Sequence, residues 1–309
     1  MRKETPPRSS SHVHRAGREG WLELVRPWLG TLVRIGVAGV ERDLAEAAIE
    51  RAFEAIAAVH RTLGFHDAHS DLSRLNGLSP GQPGIVSPML REVLDVAQEL
   101  AALTDGVFDV TVGGELVRAG VLPRVATARS AAAVDWRDLL LQADGAVAWR
   151  RAGLVDLGGI AKGHAVDCAA AALALPTRAR WRIEAGGDLR VGGDEIELVP
   201  LRVPDHPPAT QPLVELQNGS LAASAIDRAR RVHLDGRTRA PAQASAFAAV
   251  VAPRCLYADA LTKLVIACGE RSAPWLRRYG AVAHAYDADA GWRTFGADTL
   301  APDAPPARA

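Results

Sequence analysis

The sequence predicts an α+β fold, built as a single large domain around a mixed sheet. Helical and strand patterns follow one another without the regular β-α-β alternation of a doubly wound sheet. No pattern of fixed period repeats along the chain. Its 309 residues are 48% hydrophobic and 23% charged, which is typical of a globular protein with a sizeable core. We expect one domain over 21–298, with disordered tails at 1–20 and 299–309.

Charge and composition exclude several classes of partner. The 36 Lys and Arg residues balance the 36 Asp and Glu residues, and no basic stripe is present, so no nucleic-acid partner is expected. No stretch approaches the roughly 18 consecutive apolar residues of a membrane span. The N-terminal region also lacks the apolar run of a secretory signal and a nearby cysteine for a lipid. The expected location is the cytoplasm, or the periplasm if an export signal has been removed.

The first half of the chain predicts a β-hairpin followed by helices. Leu29-Gly30 marks the turn of the hairpin, and Ser87-Pro88 combines a capping residue with a proline at the first helical position. The predicted elements are strands at 21–27, 31–37 and 146–149, helices at 43–60, from 88 to about 105 and near 136, and loops at 71–76 and 106–114.

A glycine-rich stretch at 155–167 predicts a strand, a tight turn and a helix. Leu154, Val155 and Leu157 form a short apolar run that suggests the end of a buried strand. Gly158 and Gly159 then let the backbone turn without a Cβ clash. From Ala161 onward, apolar residues recur at helical spacing. The stretch matches neither a Walker loop nor a G-x-G-x-x-G motif, and an ordinary structural corner is an alternative.

The start of that predicted helix is a candidate phosphate site. Unpaired backbone N–H groups at a helix start attract anions. Lys162 adds a cation there, and Gly163 permits a close approach of the backbone.

The second half of the chain predicts mostly short strands. Ala185-Gly186-Gly187-Asp188 ends one of them with a carboxylate after two glycines. The predicted elements are strands at 181–184, 189–191, 196–203, 214–216, 220–225, 232–234, 247–251, 281–285 and 292–295, and helices at 257–268 and 273–279.

Six segments in chain order resemble the motifs of one family, the ApbE-type FAD:protein FMN transferases. Leu29 stands where the family has Met, and Leu157 to Gly163 reproduces Leu-Gly-Gly-Ile-Ala-Lys-Gly without a change. The resemblance extends over about 28–296. Its segments are 29–31, 71–76, 106–113, 157–163, 185–188 and 258–261.

The resemblance implies a T-fold-like architecture with FAD at its centre. It further implies transfer of the FMN moiety of FAD to a Ser or Thr hydroxyl of an acceptor protein, a subunit of a redox complex, with release of AMP. Pyrophosphate cleavage develops charge, so a divalent cation is expected. The residues that the resemblance assigns to FAD are Leu29, Phe108, Asp109, Thr111, Gly158, Gly159, Lys162, Gly163, Gly187 and Asp188.

The resemblance also implies a metal site and catalytic residues. The backbone carbonyl of Ala161 and the carboxylate of Asp259 correspond to family ligands, and oxygen ligands suit Mg²⁺. The family's third ligand, a Thr one helical turn after the Asp, corresponds to position 263, which is Lys. Thr262 stands just before it and is the candidate third ligand. Asp259, Lys263 and His233 are the candidate catalytic residues.

Two departures leave the activity open. Thr262 lies about 100° around the helix from position 263, so it needs a change of register to act as the ligand. The family's active-site His corresponds to Val232, and His233 would face the other way if this segment is a strand. The alternatives are a non-transferring homologue that carries FAD or assembles a redox complex, and an FAD pyrophosphate hydrolase. For Lys263 itself, a helix-surface lysine is the alternative to a partial replacement of the metal.

Overall fold

The computed structural model describes residues 20–124, 134–203, 211–226 and 233–297. The helices and strands of its first half are β1 (Trp21–Trp28), β2 (Thr31–Ala38), α1 (Arg42–Leu63), α2 (Asp71–Asn76), β3 (Gly84–Ile85), α3 (Pro88–Leu103), α4 (Gly113–Arg118), β4 (Leu139–Leu141) and β5 (Ala146–Trp149). Those of the second half are α5 (Ala161–Leu173), β6 (Arg180–Ala185), β7 (Asp188–Gly192), β8 (Glu197–Pro200), β9 (Leu213–Leu216), β10 (Ser220–Ala225), β11 (Phe247–Ala252), α6 (Cys255–Cys268), α7 (Ala273–Arg278), β12 (Val282–Asp287) and β13 (Gly291–Gly296).

The largest sheet of the described residues has the strand order β1-β2-β6-β7-β10-β11-β12-β13. Each neighbouring pair in it is antiparallel. Because β2 pairs with β6, the N-terminal hairpin joins a sheet whose other strands all come from the second half of the chain. β3, β5 and β4 form a small separate sheet, and β8 pairs with β9. The predicted α+β fold class is confirmed, but the predicted mixed sheet is wrong, because all seven neighbouring strand pairs of the large sheet are antiparallel.

Helices cover one face of the large sheet. α1 and α5 pack against each other and on β2 and β6, where Ile35, Phe53 and Val166 are fully or almost fully buried. α6 packs on β10 and β11 beside them, and nearly all of its side chains are buried. The opposite face of the sheet is partly covered by the β8–β9 hairpin. The site described below lies where α5 and α6 begin.

The local signals at two element boundaries predicted the structure correctly. The hairpin turns at Leu29 and Gly30, with φ of 56° and 71°; two positive φ values fit the right-handed twist of a hairpin. At the start of α3, the Ser87 hydroxyl accepts a hydrogen bond from the Leu90 amide at 3.3 Å. The predicted helix near 136 is a short 3₁₀ helix, Trp136–Asp138.

The predicted loop at 71–76 is wrong, because this segment is helix α2. Ser70 caps it by accepting from the Ser73 amide at 3.0 Å. Leu72 and Leu75, three residues apart, bury the same helix face. The cap and this spacing were present in the sequence. α4, β3 and β4 also lie outside the predicted elements.

The predicted strand end at 154–157 is wrong as well. Only an isolated bridge links Leu154 to Val112. The backbone of Val155 is instead satisfied by the Asn76 side chain, whose carbonyl accepts from the Val155 amide at 2.8 Å and whose amide donates to the Val155 carbonyl at 3.0 Å. On this side of the segment a side chain takes the place of a neighbouring strand, whereas on the other side the Asp156 amide donates to the Val110 carbonyl at 2.8 Å.

Of the predicted strand at 232–234, position 232 lies outside the described residues. Leu234 makes only an isolated bridge to Pro241, so the described part of this segment is a loop. The predicted tails also lie outside the described residues, apart from Gly20. No helix in the described ranges is both long enough and apolar enough to cross a membrane.

Candidate active site

A cavity of about 360 Å³ opens where the β1–β2 turn, the α5 start, the β6–β7 turn, β10 and α6 meet. It brings together nine of the residues assigned from the sequence, which come from six separate segments. They are Leu29, Phe108, Asp109, Gly158, Gly159, Lys162, Gly187, His233 and Lys263. The other assigned residues, Thr111, Ala161, Gly163, Asp188, Asp259 and Thr262, do not line this cavity.

α5 holds the start of α6 in place through Asp167. Its carboxylate accepts hydrogen bonds from the amides of Cys255 and Leu256, at 2.9 and 3.0 Å, and so caps α6 from another helix. Arg190 pairs with the same carboxylate at 2.5 Å. This contact determines where Asp259, one turn into α6, lies relative to α5.

Gly163 also brings α5 and α6 into close contact. A Cβ at this position would lie 2.3 Å from the carbonyl oxygen of Cys255 and 2.9 Å from the Cβ of Asp259. The Gly163 amide donates to Asp259 Oδ2 at 3.3 Å. Its close backbone approach is therefore to α6.

Asp259 is fully buried and binds two ammonium groups, one on each carboxylate oxygen. Lys263 Nζ lies 2.8 Å from Oδ1, and Lys162 Nζ lies 3.3 Å from Oδ2. Burial alone would raise the pKa of Asp259, but the two lysines hold it well below its usual range. Asp259 is therefore ionised at any working pH.

Lys162 also pairs with Asp188, at 2.8 Å from Oδ2. Burial alone would lower the pKa of Lys162, but the carboxylates of Asp188 and Asp259 raise it above its usual value. Burial and the neighbouring Asp259 charge raise the pKa of Asp188 to about 7. Lys162 is thus a fixed cation, whereas Asp188 holds its proton more tightly than an ordinary carboxyl group.

Lys263 Nζ sits in a cluster of oxygen atoms. The two hydroxyl oxygens, of Thr262 and Ser224, are each 2.9 Å away, Asp259 Oδ1 is 2.8 Å away and the Asp259 carbonyl oxygen is 3.3 Å away. The Lys263 side chain is 16% exposed, which excludes a solvated helix-surface lysine.

The expected Mg²⁺ ligands do not fit a divalent cation in this arrangement. Carboxylate, hydroxyl and carbonyl oxygens are ligands that Mg²⁺ accepts. Here, however, both oxygens of Asp259 and the hydroxyl of Thr262 contact ammonium groups. Across the described ranges, no three His, Cys, Asp or Glu side chains are grouped as metal ligands.

The backbone at the start of α5 is less open than the sequence suggested. The amides of Ile160 and Ala161 donate to the Leu157 carbonyl, at 3.0 and 2.8 Å. Gly158 and Gly159 do not have positive φ, so the turn needs no left-handed conformation there. A Cβ at Gly159 would instead meet the aliphatic part of Lys263 at 3.3 Å. Glycine at 159 keeps that side of the cavity open.

Asp109 and Thr111 form an internal polar network. Asp109 Oδ1 accepts from the amide and hydroxyl of Thr111, both at 2.8 Å. Arg239 Nη2 lies 2.6 Å from Asp109 Oδ2 and 3.2 Å from Thr111 Oγ1. Burial raises the pKa of Asp109, and Arg239 opposes that shift. Asp109 reaches the cavity wall, whereas Thr111 lies behind it.

His233 lines the cavity because its segment is a loop. In the described part of the wall it is the only imidazole. The predicted strand would have turned it away, so the loop conformation brings it to the site. Phe108 and Leu29 add apolar surface to the same wall.

Three further residues form part of the site and were not predicted from the sequence. Asp156 lines the cavity, and burial raises its pKa to about 6. Its position directly before Leu157-Gly158-Gly159 was a usable signal. Ser224 and Arg239 carried no local signal, since their roles depend on contacts with residues far along the chain.

A larger cavity, of about 620 Å³, lies on the opposite face of the sheet. It shares four lining residues with the first cavity, including Gly187 and Ser224. Two arginines in its wall are paired with carboxylates of the same wall: Arg34 with Glu23 at 2.6 Å, and Arg182 with Glu184 at 3.0 Å. The smaller cavity, where two lysines meet the glycine-rich turn, is the better candidate for a nucleotide.

Comparison with known proteins agrees with these motifs. A model of the ApbE family matches residues 29–285. The FAD:protein FMN transferase of Chlamydia pneumoniae is 26% identical over 239 residues, which cover 71% of this chain and 74% of that protein. The corresponding enzyme of Klebsiella pneumoniae is 25% identical over 280 residues, covering 82% of this chain and 80% of that protein.

Two solved structures share the fold. An ApbE protein from Thermotoga maritima superimposes with a TM-score of 0.76 at 24% identity, covering 90% of this chain and 97% of that one. The flavin transferase ApbE from Vibrio cholerae gives a TM-score of 0.75 at 21% identity, covering 91% of this chain and 98% of that one.

Proposed function

Since the chain belongs to the ApbE family, we propose that it is an FAD:protein FMN transferase. The observation that carries the proposal is the convergence of the glycine-rich turn, Lys162 and Lys263 on one cavity. A cavity that combines cations with apolar walls suits a ligand with a pyrophosphate and an aromatic ring system. FAD is such a ligand, and relatives at 25–26% identity are named as enzymes that use it.

The proposed reaction is a phosphoryl transfer. The hydroxyl oxygen of a Ser or Thr on the acceptor protein forms a bond to the phosphorus on the flavin side of FAD. The bond between that phosphorus and the bridging oxygen breaks, and AMP leaves with the bridging oxygen. The hydroxyl proton is released in the same step. The protein's contribution is to position the groups and to stabilise the charge that develops.

The proposal gives roles to the residues that line the cavity. Lys162, fixed by Asp188 and Asp259, balances charge on the pyrophosphate. Phe108 and Leu29 pack on the isoalloxazine ring, and His233 accepts the proton of the acceptor hydroxyl. Of the remaining candidate FAD contacts, Gly158, Gly159 and Gly187 offer backbone at the cavity wall.

No step is assigned to Mg²⁺, because two of its three expected donors, Asp259 and Thr262, already contact ammonium groups. Asp259 and Lys263 therefore enter the proposal as a charged pair beside the pyrophosphate.

The test is incubation of the purified chain with FAD and a pool of peptides that present Ser or Thr. We expect a peptide whose mass rises by that of the FMN moiety, with AMP released only when peptide is present. AMP released without peptide would identify an FAD pyrophosphate hydrolase instead. Tight FAD binding with no AMP under either condition would identify a carrier or assembly factor. His233→Ala is expected to lower transfer by about 10²-fold or more with FAD affinity retained.

A further inference from the structure

The surroundings of Lys263 Nζ are those of a bound cation. Four oxygen atoms of Asp259, Thr262 and Ser224 lie within 3.3 Å of it. An ammonium group has three donors, and here they point into a group of oxygens from a carboxylate, two hydroxyls and a carbonyl. The positive charge that these oxygens favour is therefore present in the protein itself.

The second lysine strengthens this arrangement. The whole sequence contains three lysines among its 36 basic residues, Lys3, Lys162 and Lys263. The two that the structure describes bind opposite oxygens of the same buried carboxylate. Lysine is a compact point charge, which suits this cluster of three oxygens from one turn of α6 and one from β10 better than the planar arginine fork does. Both side chains line the cavity, at its glycine-rich side.

A divalent cation at Asp259 would have to displace these ammonium groups. Lys263 approaches Asp259 from the next turn of the same helix, so the contact needs no rearrangement of the chain. A cation entering the cluster would find Lys263 Nζ already 2.8 Å from Asp259 Oδ1 and 2.9 Å from the Thr262 hydroxyl. Unless Lys263 moves out, the two positive charges repel each other.

We propose that Lys263 supplies the positive charge at the FAD pyrophosphate that a divalent cation would otherwise supply, so that this chain binds FAD without Mg²⁺. The inference rests on the proposed function, because it takes the ligand to be FAD. It concerns FAD binding before any transfer takes place.

The decisive experiment measures FAD affinity of the full chain by calorimetry, after dialysis against EDTA and again with excess Mg²⁺. We expect the two dissociation constants of the unaltered protein to agree within about twofold, since no metal is coupled to FAD binding. A gain of about tenfold or more on adding Mg²⁺ would overturn the inference. Absence of FAD binding under both conditions would overturn the proposed function, and the inference with it.

A variant tests the role of Lys263 directly. Lys263→Thr removes the ammonium group and adds a hydroxyl beside Asp259. Its FAD affinity in EDTA is expected to fall by about tenfold or more, and Mg²⁺ is expected to restore it. Lys263→Met, which removes the charge without adding a ligand, is expected to lose affinity in EDTA to a similar extent. Unchanged affinity of both variants in EDTA would contradict the inference.

Two controls complete the design. Arg278→Thr removes one positive charge from an exposed position on α7 and is expected to leave FAD affinity unchanged in either buffer. Mn²⁺ binding, followed by electron paramagnetic resonance without FAD, is expected for Lys263→Thr and not for the unaltered chain. Tight Mn²⁺ binding by the unaltered chain would count against Lys263 as the resident cation.

Discussion

At the scale of single residues, the site is a small network of buried charges. Asp259 is ionised because two lysines contact it, and the lysines are held because Asp259 and Asp188 are buried beside them. Removing one partner would leave a buried charge unbalanced, which costs far more than the loss of an exposed pair. The network is therefore expected to keep its geometry with or without ligand.

Asp156 gives the residue-scale prediction. Burial raises its pKa from 3.8 to about 6, so the folded protein binds this proton more tightly than the unfolded chain does. The associated stability is present below about pH 4 and is lost as the pH rises through about 6. Between about pH 4 and pH 6, the free energy of unfolding of the unaltered protein is expected to fall by about 2 kcal/mol more than that of Asp156→Asn, whose side chain at 156 does not titrate.

Urea unfolding of both proteins at intervals from pH 4 to pH 7 measures this difference. The carboxyl group of Asp188 titrates in both proteins, so its effect cancels in the comparison. Parallel stability profiles would show that Asp156 titrates normally in the folded chain.

At the scale of elements, the contact between α5 and α6 builds the site. Asp167 caps α6 from α5, and Gly163 lets the two backbones approach. Lys162 on α5 and Lys263 on α6 reach the same carboxylate only because these helices start side by side.

Asp167→Ala tests the cap. It leaves two amides of α6 without their acceptor and Arg190 without its partner, so we expect a loss of about 1 to 3 kcal/mol in the free energy of unfolding. The matched control is Asp95→Ala, which removes an exposed carboxylate from an i,i+4 pair with Arg91 and should cost under about 0.5 kcal/mol. Chemical denaturation of both variants gives the comparison. Equal losses would mean that Asp167 contributes no more to the free energy of unfolding than the exposed carboxylate of Asp95 does.

At the scale of the whole molecule, the antiparallel sheet brings distant segments to one cavity. Pairing of β2 with β6 places the turn at Leu29 beside the Gly186–Gly187 turn. β10 and α6, which come from the C-terminal half of the chain, line the same cavity. A site assembled from so many segments suits a long ligand with two distinct halves.

The whole-molecule prediction is a preference for FAD over FMN and over NAD. If both halves of the ligand contact the protein, FAD should bind at least about tenfold more tightly than FMN, a difference of about 1.4 kcal/mol. Calorimetric titration with each of the three ligands measures this. Equal or tighter binding of FMN would mean that the adenylate half makes no useful contact.

The sequence by itself determined the features that depend on neighbouring residues. The hairpin turn at Leu29-Gly30, the capped start of α3 at Ser87 and the start of α5 at Ala161 follow from local backbone preferences and spacing. The ordered motifs also determined the family, because their residues and order are properties of the chain alone.

Only the tertiary structure decided how the charges pair. Lys162 meets Asp259 from 97 residues away, and Arg239 meets Asp109 across 130 residues. The i+4 spacing of Asp259 and Lys263 permits both an ion pair and a solvated lysine. Burial of α6 against β10 selects the ion pair, because it excludes water from Asp259 and places Ser224 beside the ammonium group. Such selection depends on which surfaces the fold buries, and no local pattern encodes that.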